Sequence, residues 1–239
     1  MQDTSLNLVY TMGKVASTAV SESLTCSGIP NHHVHLMTDD SLYEAMAESA
    51  GSRAFPADHV GRSISIYRRF KNSKCVKIVT LIRDPLARNI STVFQNLSKR
   101  SYGFQELSRL VEQLPTDPIT QWNNAQFKPA IGISLFDVGF SPEDKFSVYC
   151  SGRFEVLTIR TDLSNIKKSE LLSDFFHQEV NVGVANEAST KWYNELYTEF
   201  LKEMPLNAEW IDHCLNSVGL SVFFTDDEIA NLRKKYSTM

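Results

Sequence analysis

Strand-like and helix-like stretches alternate over the first part of the chain. "LNLVYTM" (6–12) reads as a strand, and "STAVSESLTC" (17–26) as a helix with Ala16, Ala19, Val20 and Leu24 inward. "HHVHLM" (32–37) has the length of a short second strand. "DHVGRSISIYRRF" (58–70) spaces Val60, Ile64, Tyr67 and Phe70 along one helix face. "KCVKIVTLI" (74–82) is rich in β-branched residues and predicts a buried strand. A helix follows over "DPLARNISTVFQNL" (84–97), with Asp84 as its cap and Pro85 in its first turn. Strands separated by helices in this order predict a mainly parallel sheet covered by helices.

The second half is less regular. "FSVYC" (146–150) and "FEVLTIR" (154–160), joined by Ser151-Gly152-Arg153, predict a hairpin or two neighbouring strands. The C-terminal stretch reads as helical: Trp192, Leu196 and Phe200 form one ridge, with Tyr193, Tyr197, Leu201 and Met204 beside it. Thr225 followed by Glu228 is a capping-box pattern for a final helix with Ile229, Leu232 and Tyr236 inward. No repeat, low-complexity run or linker interrupts the pattern, so one domain over 1–239 is expected.

Composition narrows the classes of partner. With 42% hydrophobic and 22% charged residues the 239-residue chain is an ordinary globular sequence. A net charge of −4 supplies no general field for nucleic acid or an anionic membrane, so a bound anion must be held by a local cluster of donors. Cys26, Cys75, Cys150 and Cys214 form no CxxC pair, which argues against a zinc knuckle or a disulfide scaffold. The opening residues carry no basic segment followed by an apolar core. No window reaches the ~18 apolar residues of a membrane span. A cytoplasmic protein of unread oligomeric state is expected.

Two stretches carry candidate chemistry. In "TMGKVASTAV" (11–20) a strand ends in a tight turn and feeds a helix, which leaves backbone N–H groups without partners. Those donors and the positive end of the helix dipole suit a phosphate. Gly13 allows close approach, Lys14 adds charge, and Ser17 and Thr18 add hydroxyls. The alternative is an exposed turn with an incidental lysine. The Walker A pattern is absent, because Lys14 directly follows the glycine with no Ser or Thr after it.

In "TLIRDPLARNIST" (80–92), Arg83 closes a strand, and helical spacing sets Asp84, Arg88, Ser91 and Gln95 on one stripe. Leu86, Ile90, Val93, Phe94 and Leu97 fall on the opposite one. Arg83 and Ser91 could clasp a second anion, a planar fork and a hydroxyl closing around it. The alternative is Arg83 paired with Asp84 and Ser91 on a solvated face. Two anion sites at the ends of neighbouring parallel strands lie where open α/β sheets bind ligands. A nucleoside with phosphates at both ends would occupy both.

These motifs, in this order, resemble those of the sulfotransferases that use 3′-phosphoadenosine 5′-phosphosulfate. In that family a strand-turn-helix loop with a central lysine holds the 5′-phosphosulfate, and an Arg-Asp-Pro-x-x-Arg-x-x-Ser element holds the 3′-phosphate. Thr11, Gly13, Lys14, Val15, Ala16, Ser17, Thr18 and Ala19 occupy the first motif here, with Ala16 where a glycine is frequent. Arg83, Asp84, Pro85, Arg88 and Ser91 occupy the second. "VLTIRTDL" (156–163) looks like the later strand of that superfamily that ends in Arg-x-Glu/Asp-x-Leu and braces the site. "TKWYNELYTEF" (190–200) resembles a narrower group, the capsular polysaccharide synthesis proteins with an Asn-Lys-Trp-Tyr-Ser signature. It keeps Lys191, Trp192 and Tyr193 but has Thr190 and Asn194 at the flanks.

The resemblance implies an α/β fold with a P-loop-like, mainly parallel sheet flanked by helices and a helical C-terminal part. It implies transfer of a sulfuryl group from 3′-phosphoadenosine 5′-phosphosulfate, as co-substrate and without a required metal, to a carbohydrate or another small hydroxylated acceptor. Lys14 would stabilise charge on the leaving phosphate. The acceptor needs a base, and His35 is the first choice, by analogy with related enzymes. His33 lies on the same side of the short strand as His35, and His32 on the other. Packed structural histidines are the competing reading. His59, Asp137 and Glu22 are weaker candidates. Trp192 and Tyr193 could stack on adenine or a sugar, although their spacing also suits core packing for Trp192. The remaining alternatives are an ATP-using P-loop-type phosphotransferase and a catalytically silent nucleotide- or glycan-binding module.

Overall fold

The structure is a computed structural model, and it describes residues 5–49, 58–183, 191–203 and 206–237. The first strand, β1 (Ser5–Tyr10), buries Leu6, Leu8, Val9 and Tyr10 and leads through a turn into α1 (Ser17–Cys26). On one side β1 pairs in parallel with β2 (His32–Val34), Val9 beside His33. On the other it pairs in parallel with β3 (Cys75–Ile82), Leu8 beside Ile78. The helices α2 (Asp39–Ser49) and α3 (Asp58–Asn72) carry the chain from β2 across to β3. A mostly apolar run, with every residue from Ile78 to Ile82 buried, makes β3 a strand covered on both faces, as a central parallel strand must be.

From β3 the chain enters α4 (Pro85–Asn96), then α5 (Phe104–Glu112), α6 (Pro118–Trp122), a π-helical turn over Asn123–Phe127 and α7 (Lys128–Ile131). The hairpin β4 (Phe146–Ser151) and β5 (Phe154–Arg160) completes the sheet: β5 runs parallel to β3, and β4 is the antiparallel edge. The strand order is β2-β1-β3-β5-β4. This is an α/β architecture with a five-stranded, mostly parallel sheet flanked by helices.

After β5 come α8 (Asn165–Phe176), α9 (Asn194–Glu203), α10 (Ala208–Leu215), α11 (Val218–Phe223) and α12 (Asp226–Ser237). Phe94 of α4 meets Tyr197 and Phe200 of α9 edge-on, with ring centroids 5.1 and 5.3 Å apart, and Tyr193 at 5.9 Å. Thr225 and Glu228 form the reciprocal capping box at the start of α12, with bonds of 3.1 and 3.3 Å. Arg160, buried at the end of β5, bonds Asp162 and Glu228 and lies against the Phe224 ring. The strand end is thereby fastened to α12 rather than to the turn after β1.

Four local expectations differ from the structure. On α3 the buried face carries Val60, Ser63, Ile66 and Phe70 while Ile64 points to solvent, because the helix is rotated from the expected phase. Ala16 is exposed rather than inward, since it precedes α1 with a left-handed φ of 57°. The second strand ends at Val34, so His35 lies just beyond it. Trp192 precedes α9 and is 46% exposed, so it does not join the Phe200 ridge in the core. Met204 and Thr190 lie outside the described residues, as does the side chain of His59. Among the described residues, no helix is long and apolar enough to cross a membrane. The four cysteines are free.

The strand order positions the site. From β1 the chain moves outward to β2, and from β3 it moves to the opposite edge. The crevice beyond the carboxyl ends of β1 and β3 is therefore a topological switch point, where such sheets bind ligands.

Candidate functional site

A cleft of about 280 Å³ opens at this switch point. Gly13, Lys14, Ala16, Ser17, Thr18 and Ala19 line it from the first turn and α1. His33 and His35 come from the end of β2, and Arg83, Ser91 and Gln95 from β3 and α4. Lys191 and Tyr193 come from the segment before α9. Three of these residues are cations and none is a carboxylate, in a chain whose net charge is −4. Neither Lys14 nor Arg83 forms an ion pair with a carboxylate among the described residues. The expected competitor Asp84 is engaged elsewhere, accepting from Ala87 N at 2.8 Å and from the Tyr236 hydroxyl at 3.3 Å.

The turn is built for donors. Lys14 and Ala16 have φ of 71° and 57°, a left-handed backbone that costs a residue with a side chain about 1 kcal/mol or more. Such alternation of the chain turns backbone N–H groups into a concavity suited to anions. Arg83 Nη1 donates to the Lys14 carbonyl at 3.0 Å, and Arg88 Nε donates to the Gly13 carbonyl at 3.4 Å. Because a trans peptide points its C=O and N–H in opposite directions, these bonds turn the N–H groups of Val15 and Lys14 away from the guanidiniums. No side chain caps α1, whereas Asp84 caps α4, Asp117 caps α6 and Ser164 caps α8. The first N–H groups of α1, like those of α5, therefore have no side-chain cap, and in α1 they lie at the cleft.

Burial, and then the charge of Arg88, hold the Lys14 ammonium below its ordinary value. Burial likewise lowers Arg88, which braces the turn and also donates to Asn89 Oδ1 at 2.9 Å. His35 Nδ1 lies 2.7 Å from the Thr11 carbonyl, and since a carbonyl can only accept, Nδ1 carries the proton. In the neutral ring the lone pair is then on Nε2. His33 Nε2 lies 2.8 Å from Ser17 Oγ, and the His33 and His35 rings meet edge-on with centroids 4.8 Å apart. Burial, His35 and Arg62 push His33 down to about 4.

Of the residues singled out in the sequence, Gly13, Lys14, Ala16, Ser17, Thr18, Ala19, His35, Arg83 and Ser91 share this one cleft. Two do not. Val15 is packed into the core, and the Thr11 side chain is buried beneath the turn, so Thr11 contributes through its carbonyl. His32 faces the other way, 3.1 Å from Arg69 Nη1. Asp137 and Glu22 are exposed and do not line the cleft. Tyr193, named as a possible stacking residue, does line the cleft, and Lys191 of the same run is the cation that joins it there. The clue was the Lys-Trp-Tyr run itself, an aromatic pair beside a cation just ahead of a helix. No family model, curated protein or solved structure matched the chain.

Proposed function

We propose that the chain is a sulfotransferase that takes a sulfuryl group from 3′-phosphoadenosine 5′-phosphosulfate and passes it to a hydroxyl of a carbohydrate or another small acceptor. One observation carries the reading. Lys14 with the uncapped start of α1, and Arg83 with Ser91, line a single cleft at the switch point, and among the described residues no carboxylate lines it with them. A P-loop-like role for the turn over 11–16 belongs to the same reading.

In this assignment the turn, Ser17 and Thr18 hold the 5′ end of the donor, and Arg83 and Ser91 hold the 3′-phosphate. Binding energy spent on that remote phosphate aligns the reacting end and disfavours nucleotides that lack it. As the bond from sulfur to the phosphate oxygen breaks and the bond to the acceptor oxygen forms, charge collects on the leaving phosphate. Lys14 meets it there, in a half-buried site where a fixed charge acts more strongly than in water. The acceptor proton goes to His35 Nε2, and the bond from Nδ1 to the Thr11 carbonyl keeps that tautomer. Trp192, exposed between two residues of the cleft lining, supplies a flat apolar surface for the acceptor's ring. An ATP-using phosphotransferase commonly holds its magnesium with an aspartate, and the described residues of this lining include no carboxylate.

Calorimetric titration tests the reading. The desulfated donor, 3′-phosphoadenosine 5′-phosphate, is expected to bind far more tightly than AMP. Equal affinities would remove the role given to Arg83 and Ser91.

A further inference from the structure

Ser17 is both the first residue of α1 and one half of a hydrogen-bonded pair with His33, at 2.8 Å from Oγ to Nε2. The pair can form in two ways. If the hydroxyl donates to an unprotonated Nε2, Ser17 turns lone pairs toward the cleft, and lone pairs repel an anion. If Nε2 carries a proton and donates to Oγ, the hydroxyl proton is released to point at a ligand. The second arrangement suits a site that Lys14, Arg83 and the start of α1 make attractive to anions.

We propose that His33 is a positioning residue of the anion site: a doubly charged oxyanion bound beside Ser17 draws a proton from solvent onto His33, whose Nε2–H holds Ser17 Oγ as an acceptor and leaves the hydroxyl to donate to the anion. The inference rests on reading the cleft as an anion site, and adds to it the means by which Ser17 becomes a donor.

The surroundings of His33 set the sign of the effect. His35 meets it edge-on, Arg62 acts on it from α3, and Lys14 and Arg83 face it across the shared cleft. Burial first, and then the charges of His35 and Arg62, keep the ring neutral at pH 7. A dianion among them reverses the local field and makes the charged ring favourable. Between the midpoints of the empty and the occupied site, one proton enters with the anion and leaves with it. A pair that merely tied β2 to α1 would hold its geometry but show no such coupling.

Inorganic sulfate is the direct probe, because it keeps both charges between pH 4 and 8. The titration of the His33 ring is followed by NMR on the whole chain with sulfate and with chloride at matched ionic strength. It is then repeated with 3′-phosphoadenosine 5′-phosphate. The midpoint, near 4 without the anion, is expected to rise by at least about one unit with either ligand. Sulfate affinity should then strengthen roughly tenfold per unit fall in pH between the two midpoints. His33→Gln keeps an N–H for Ser17 but cannot titrate, so it should still bind sulfate with that pH dependence gone. His33→Leu should bind weakly at every pH. Binding that leaves the His33 midpoint unmoved, or a His33→Gln variant with the original pH dependence, would overturn the inference while sparing the anion site. Absence of binding by both ligands would overturn both.

Discussion

Arg83 Nη1 donates to the Lys14 carbonyl at 3.0 Å, so the residue that closes β3 also fastens the turn that closes β1. A guanidinium has five donors, and this bond uses one, leaving others for a ligand. Replacing Arg83 by Ala removes both the brace and the charge. Removing a charge-assisted bond costs about 1.5–3 kcal/mol, or roughly 10- to 150-fold in Kd for 3′-phosphoadenosine 5′-phosphate. Arg83→Lys restores the charge without the planar fork and should recover part of that loss. An Arg83→Ala protein that binds the bisphosphate as well as the original would exclude Arg83 from the site.

Ala16 adopts a φ of 57°, which glycine tolerates and a side chain resists. Ala16→Gly relieves the strain but loosens the unfolded chain, and the two effects partly cancel. The expected net result is a gain of about 0.5–1 kcal/mol in urea unfolding. Ala16→Val, β-branched at the same φ, should lose about 1 kcal/mol or more. A loss on Ala16→Gly would mean that the left-handed turn is not strained.

Local signals made much of the sheet legible. The helix over 17–26, the strand over 75–82 and the Asp84 cap follow from spacing and capping within a few residues of one another, and the structure has them there. The gathering of Lys14, Arg83 and Ser91 could be anticipated because parallel topology brings the ends of β1 and β3 together. Tyr193 could be offered as a stacking residue from its sequence run, but Lys191 was given no role, since its approach to the cleft depends on how the chain returns after α8. The Ser17–His33 bond needs the parallel register of β1 and β2, which no local pattern encodes. Arg160 looked like a brace for the site, yet its partner Glu228 lies on α12, a pairing set by long-range packing.

That pairing has a pH signature. Burial raises the Glu228 carboxyl, but hydrogen bonds from Arg160 and Lys145 outweigh it and hold it down at about 2, against an ordinary 4.5. A carboxyl depressed in the folded state stabilises it fully above pH 4.5, and the contribution is lost as pH falls toward 2. Asp162, lowered by the same two cations, acts in the same sense. The melting temperature of Glu228→Gln should sit below the original by a constant margin above pH 5, and the margin should close between pH 4.5 and 2. A margin independent of pH would deny the ionic staple.

Trp192 is the aromatic on which acceptor and donor readings diverge. It is 46% exposed, with its ring edge-on to Tyr193 at 5.6 Å, so Trp192→Ala should change stability by less than about 0.5 kcal/mol. If its face carries the acceptor, the variant binds 3′-phosphoadenosine 5′-phosphate normally and shows a raised KM for whichever mono- or disaccharide accepts sulfate. Weakened nucleotide affinity would move Trp192 to the adenine instead.

The most direct measurement is a crystal structure of the chain soaked with 3′-phosphoadenosine 5′-phosphate. The account predicts one molecule spanning the cleft, its 5′-phosphate on the turn from Gly13 to Thr18 and its 3′-phosphate on Arg83 and Ser91. A nucleotide bound elsewhere, or one that touches Lys14 while leaving Arg83 and Ser91 to solvent, would contradict it.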